Sequence, residues 1–241
     1  MKLLFEKWRR YVKENEEPEE SFEEGPKIKK LRLFDFDETI AYTQANVRVT
    51  PPGSTEQITL EGQKEFDVYA KEKAAEHGVG GYDPIPALEE LGYKFDFSDF
   101  SVVRSPEENK MITDIIGYVV DANKKDPVRE IYVITARRNV AKGPIENYLR
   151  DLGFSPTDFT DIITLQGASK REKIEEIIAK HTDKSGETTI ESIHFFDDSK
   201  KNLEDVRQIK ELYPQIKDIQ IKQVVRGDIH TIKEQPSLTN R

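Results

Sequence analysis

The chain has 241 residues, 34% charged and 36% apolar, with a net charge of −9 and no cysteine. A chain of this size folds without staples, and the missing cysteines exclude a disulfide scaffold, a thiolate-ligated zinc or iron–sulfur site and a thiol nucleophile. No apolar run reaches the ~18 residues of a membrane-spanning helix, and an acidic body does not attract nucleic-acid backbone over a wide face; the expectation is a soluble, cytoplasmic protein with a local site.

In chain order, Leu4, Trp8, Tyr11 and Val12 fall at i, i+4, i+7 and i+8 among Lys2, Lys7, Arg9, Arg10 and Lys13, the pattern of a short basic amphipathic helix. Residues 14–24 (ENEEPEESFEE) follow with seven glutamates and no base, so residues 1–27 read as a helical tail on a solvated acidic linker. Two roles stay open for residues 1–13: a helix packed on its own domain, or a docking segment for a protein partner. The first 30 residues hold eight bases and eight acids, so all the excess negative charge lies in residues 31–241.

From Ile28 the pattern changes to short apolar runs stopped by polar residues. Leu31–Phe36 runs into Asp37-Glu38-Thr39, Ile131–Ile134 into Thr135, Ile162–Leu165 into Gln166-Gly167, and Ile193–Phe196 into Asp197-Asp198. Such continuous runs suit strands covered on both faces. Helical patterns lie between them at Pro144–Leu152, Ser169–His181 and Lys200–Leu212. Strand alternating with helix predicts an α/β fold, a parallel sheet with helices on both faces, whose ligands bind at the carboxyl ends of the strands.

The interval between the first two of these strands far exceeds the dozen or so residues a crossover requires, so residues 47–127 form an insertion with structure of its own. It predicts a hairpin (Val47–Thr50 and Gln57–Leu60 around Pro51-Pro52-Gly53-Ser54), a helix over Gly62–His77, a break at Gly78-Val79-Gly80-Gly81 and a half-buried strand over Tyr93–Phe100. A second helix is expected over Ser105–Lys124, with Ser105 as N-cap and Pro106 at the first helical position. The remaining core comprises residues 28–46 and 128–241.

Chemistry concentrates at the strand ends. Asp35 and Asp37, two apart where the chain leaves the sheet, can supply one carboxylate to attack phosphorus and another to handle the leaving-group proton. Adjacent Asp197 and Asp198 repel unless a cation or proton neutralises them, and with Asp35 and Asp37 they make the all-oxygen donor set that magnesium prefers. Taken alone, that pair reads equally as an acidic cap on the following helix, and Thr135 as an N-cap or a phosphate-binding hydroxyl. Lys170 and Lys173, near the start of one helix, both fit a phosphate- or carboxylate-binding role, with Lys170 nearer the strand–helix junction and the buried stripe beginning at Ile174 and Ile177.

The order DFDET (35–39), Thr135, Lys170, Asp197-Asp198 resembles the four motifs of the haloacid dehalogenase (HAD) superfamily, over about residues 28–46 and 128–225, and the DxDxT form resembles its phosphatases. The resemblance implies a Rossmann-like core with a cap-like α+β insertion, Asp35 as nucleophile, Asp37 as general acid and base, and Thr135 and Lys170 as phosphate binders. It also implies Mg2+ held by Asp197, Asp198, Asp35 and the backbone carbonyl of Asp37. DFDET, FDFSDF (95–100), VITAR (133–137) and FFDDSKKN (195–202) together are similar to HAD proteins of large tailed bacteriophages, some related to polynucleotide 3′-phosphatases. The function so implied is magnesium-dependent hydrolysis of a phosphomonoester, on nucleotides, another phosphorylated small molecule or a nucleic-acid 3′ end, with Asp37 kept protonated by neighbouring carboxylates. The alternative is a non-catalytic protein of that fold docking through its N-terminal helix into a larger, viral assembly, and for a phage protein the setting is the host cytoplasm or the virion.

Overall fold

The computed structural model describes residues 27–79, 84–226 and 228–231, so the expected amphipathic helix, nearly all of the acidic linker and Trp8 lie outside the described residues. Strand β1 (Lys30–Phe34) is the first element of the described residues and is followed by the short β2 (Ala41–Tyr42). The insertion then builds β3 (Asn46–Thr50), β4 (Ile58–Glu61), helix α1 (Gly62–Glu76), α2 (Ile85–Glu90), β5 (Lys94–Asp96) and a 3-10 turn at Ser98–Ser101. Strand β6 (Glu107–Glu108) and helix α3 (Lys110–Lys125) return the chain to the core. There β7 (Arg129–Thr135), α4 (Lys142–Asp151), β8 (Asp161–Thr164), α5 (Lys170–Lys180), β9 (Ser192–Asp197), α6 (Lys200–Arg207), α7 (Ile209–Leu212), β10 (Asp218–Val225) and β11 (Asp228–Thr231) follow in turn.

The protein is mixed α/β with a mainly parallel central sheet, in the order β11-β10-β9-β1-β7-β8. Every pairing in it is parallel except that of the edge strand β11, which runs antiparallel to β10. Alternate side chains of the sheet enter two separate cores. On one face Phe34, Ile131, Val133 and Phe196 pack with Ile112, Ile116, Val119 and Val120 of α3 and Ile145 and Leu149 of α4. On the other, Leu31, Leu33, Ile134, Ile193 and Phe195 pack with Ile174, Ile177 and Ile178 of α5 and Leu203 and Val206 of α6. Burying side chains of this size stabilises the fold by about 1.5–3 kcal/mol each before conformational entropy is counted against it.

The insertion has a third core, where Val47, Val49, Leu60, Phe66, Ala70, Leu88 and Tyr93 bury one face of the antiparallel sheet β4-β3-β5 against α1 and α2. Three sequence expectations are corrected here. Helix α3, grouped by sequence with the insertion, packs on the central sheet. That helix begins at Lys110 rather than after Ser105: Ser105 has φ +42, and Glu107 and Glu108 pair with Tyr42 and Ala41 as a two-stranded ladder. Pairing with a distant strand thus wins over local capping chemistry. The expected strand over Tyr93–Phe100 is only Lys94–Asp96, because the chain then turns into the 3-10 segment at Ser98.

Candidate active site

The register of the central sheet decides which side chains can meet. Phe34 lies opposite Val133 on one side and Phe196 on the other, so Asp35, Thr135 and Asp197 leave three adjacent strands within two residues of one level. Beyond Asp35 the backbone doubles back tightly: the N–H groups of Ile40 and Ala41 both donate to the carbonyl of Phe36 (2.9 and 3.0 Å), and Glu38 donates to that of Ala41 (2.8 Å). Glu38 sits at φ +56, a left-handed conformation that non-glycine residues adopt at a cost. The turn lets Asp35 and Asp37 both stand at this end of the sheet.

Lys170, the first residue of α5, is buried at the centre of the cluster. Its Nζ donates to Asp35 Oδ1 and, at 2.7 Å, to Asp197 Oδ2. Lys170 lies in helical phase with Ile174, Ile177 and Ile178, so the face that packs on the sheet also carries the ammonium group into the site. Ser169 caps that helix by accepting from the backbone N–H of Glu172 (3.2 Å) and donates to Asp205 (2.8 Å). Lys173 instead pairs with Glu176 on the outer surface of the helix. Of the two candidate lysines, then, only Lys170 touches the aspartates.

Asp197 is fully buried and is held by more than its lysine, accepting from the N–H of Ser199 (2.8 Å) and from the side-chain amide of Asn202 (3.2 Å to each oxygen). Asp35, Asp197 and Asp198 each offer a carboxylate oxygen within 4.8 Å of the others. Three acids against one lysine leave the cluster short of positive charge, and the protonation equilibria register this. Burial pushes the Asp35 carboxyl well above the carboxylate range; Lys170 opposes the rise while Asp197, Asp198 and Asp37 add to it. Burial and then the Asp197 charge push Asp198 up to about 7. For Lys170, burial works against the charged form, but Asp197 and Asp35 outweigh it and hold the ammonium protonated. A hard divalent cation fits this donor set, since carboxylate oxygens are its preferred ligands and its charge would supply what the cluster lacks.

Asp37 is not part of that cluster of oxygens. Its carboxylate accepts from Arg137 Nε (2.9 Å) and Nη2 (2.7 Å) as a bidentate pair and from the Thr43 hydroxyl (2.7 Å). The groups facing Asp37 are thus a guanidinium and a hydroxyl, where the sequence expectation had neighbouring carboxylates keeping it protonated. Thr135 is wholly buried at the end of β7, and its Oγ1 accepts from the backbone N–H of Arg137 (3.2 Å). Its hydroxyl proton is left for a further acceptor.

Arg137 and Thr43 are the site residues that sequence reasoning missed. Arg137 ends the VITAR run, two positions after Thr135 and just beyond the end of β7, the one signal that could have placed it near the site. Thr43 carried no signal beyond its place shortly after DFDET. Comparison of the chain with protein-family models, with curated proteins and with solved structures found no match. The functional reading therefore stands on the donors, charges and strand ends described above.

Proposed function

We propose that the protein is a magnesium-dependent phosphomonoester hydrolase of HAD type, with Asp35 as nucleophile and Asp37 as general acid and base. The observation that carries this reading is the single buried ammonium of Lys170 shared between Asp35 and Asp197 at the carboxyl ends of adjacent parallel strands. Lys170 keeps one oxygen of a desolvated Asp35 aligned and partly neutralises the approach of a phosphate dianion. Asp35, Asp197 and Asp198 would hold the magnesium ion, which when bound supplies further positive charge against the phosphoryl oxygens.

In the reaction, a free oxygen of Asp35 attacks phosphorus and the ester P–O bond breaks, while the departing oxygen takes a proton from Asp37. Water then attacks the phosphorus of the aspartyl-phosphate and gives a proton to Asp37; the acyl P–O bond breaks, releasing inorganic phosphate and restoring Asp35. Thr135 offers its hydroxyl to a phosphoryl oxygen without adding charge. The substrate is a phosphorylated small molecule such as a nucleotide, or a nucleic-acid 3′ end.

Hydrolysis of p-nitrophenyl phosphate with and without magnesium tests the reading. Turnover that needs magnesium and disappears in Asp35→Asn supports it. Turnover that persists in that variant removes Asp35 as nucleophile, and a wild-type protein inert towards aryl phosphates, nucleotides and 3′-phosphorylated oligonucleotides overturns the reading.

A further inference from the structure

Arg137 meets more partners than an ion pair requires. A guanidinium has five N–H donors in a rigid fork, and all five find acceptors. Nε and Nη2 hold the two oxygens of Asp37, and Nη2 also donates to Thr43 Oγ1 (3.1 Å). Nη1 donates to two backbone carbonyls of the insertion, Phe100 (2.9 Å) and Val102 (2.5 Å). The Phe36 and Phe100 rings lie 5.5 and 5.4 Å from the guanidinium carbon, one ring from the core and one from the insertion. The side chain is 1% exposed, so it has no water to fall back on if any of these acceptors moves.

The segment supplying the two carbonyls is itself anchored. Asp99, between Ser98 and Phe100, is buried, and it accepts from Arg48 Nη2 on β3 (3.0 Å) and from the backbone N–H of Asn46 (3.4 Å), with Arg104 at 3.6 Å. One continuous set of charge-assisted contacts therefore runs from the insertion sheet through Phe100 and Val102 to Arg137 and on to Asp37. On the carboxylate, Oδ1 accepts from Arg137 and Thr43 and Oδ2 from Arg137, which leaves one of about four lone-pair sites, on Oδ2, for a reacting proton.

We propose that Arg137 is the positioning residue for Asp37 and that it makes the placement of this acid–base group depend on the seating of the insertion against the core. The inference rests on the phosphatase reading above. It assigns the insertion a task in catalysis: aligning the one free oxygen position of Asp37 with the leaving group.

The test uses the leaving group. Nitrophenolate departs without a proton, whereas an alkoxide needs one, so kcat/KM for an alkyl phosphomonoester depends on Asp37 far more than kcat/KM for p-nitrophenyl phosphate. Arg137→Lys, which keeps the charge and loses the fork, is expected to lower kcat/KM for the alkyl ester by at least about tenfold more than for the aryl ester. Thr43→Val, which removes the hydroxyl donor to Oδ1, tests the orientation of the same carboxylate if Arg137→Lys does not fold, and Asp99→Asn, which touches neither Asp37 nor Arg137, is expected to show the same selective loss in smaller degree. Equal losses on both esters in Arg137→Lys and Thr43→Val, or an Asp99→Asn enzyme with the wild-type ratio, overturn the proposal while the phosphatase reading stands. A wild-type protein that hydrolyses neither ester removes both.

Discussion

Asp35 and Asp37 stand two residues apart, yet the charges that meet them differ in kind. Around Asp35, three carboxylates cluster about one ammonium that touches two of them, and burial raises two of the acids towards neutrality. Around Asp37, one carboxylate faces one guanidinium whose donors are all taken, with a hydroxyl completing the set. The first group is under-supplied with positive charge and reads as built for something that arrives with it. The second is balanced as it stands and reads as built to hold a geometry. The same residue type in one short motif thus takes two roles, decided by what the rest of the fold brings to it.

The largest effect should come from neutralising the crowded side. Asp35→Asn is expected to abolish phosphatase activity with a melting temperature equal to or above wild type, because Lys170 retains Asp197 and one costly buried charge disappears; a marked loss of Tm would mean that Asp35 is not under repulsion. Lys170→Met removes the only counter-charge in contact with Asp35 and Asp197 among the described residues. It should cost about 3–5 kcal/mol in denaturant unfolding without divalent cations, a deficit that added magnesium narrows. Asp37→Asn tests the balanced side. There the buried guanidinium loses its ionic partner, and the expected cost is about 1.5–3 kcal/mol; a fold as stable as wild type would erase the distinction between the two sides.

Asp197→Asn and Asp198→Asn should each raise the magnesium concentration giving half-maximal activity by about 10–100-fold. An unchanged titration in both would mean that the charge deficit around Asp35 is not filled by a metal. The smallest effect is expected from Ser169→Ala, which removes the cap of the helix presenting Lys170 and should cost about 1 kcal/mol in thermal unfolding with little change in activity. A large drop in turnover there would show that the position of Lys170 depends on the cap rather than on its two aspartates.

What could be read from sequence follows from what kind of partner each residue has. The strands carrying Asp35, Thr135 and Asp197 were legible because they are covered on both faces and so appear as unbroken apolar runs. The preference for Lys170 was legible because its buried phase is written in Ile174 and Ile177 four and seven residues on. Strands β10 and β11 were missed, since DIQIKQVV alternates with only partial burial and shows no such run. The clamp on Asp37 was invisible for a different reason: two of the acceptors of Arg137 are backbone carbonyls about 35 residues away, and carbonyls leave no mark in a sequence. Ser105-Pro106 misled because a capping rule cannot register that Glu107 and Glu108 have a strand partner more than sixty residues earlier.

That small ladder of Ala41–Tyr42 against Glu107–Glu108 has a consequence for engineering. It brings the outgoing and returning connections side by side, so the central sheet meets everything between them as though it were a single surface hairpin. Closing a loop grows more costly only with the logarithm of its length, so segments of very different size can occupy this interval with little penalty to the sheet. The ladder is therefore a socket for whatever lies between its strands, and the demand on any replacement segment is local: two carbonyl groups and an aromatic ring presented where Arg137 expects them.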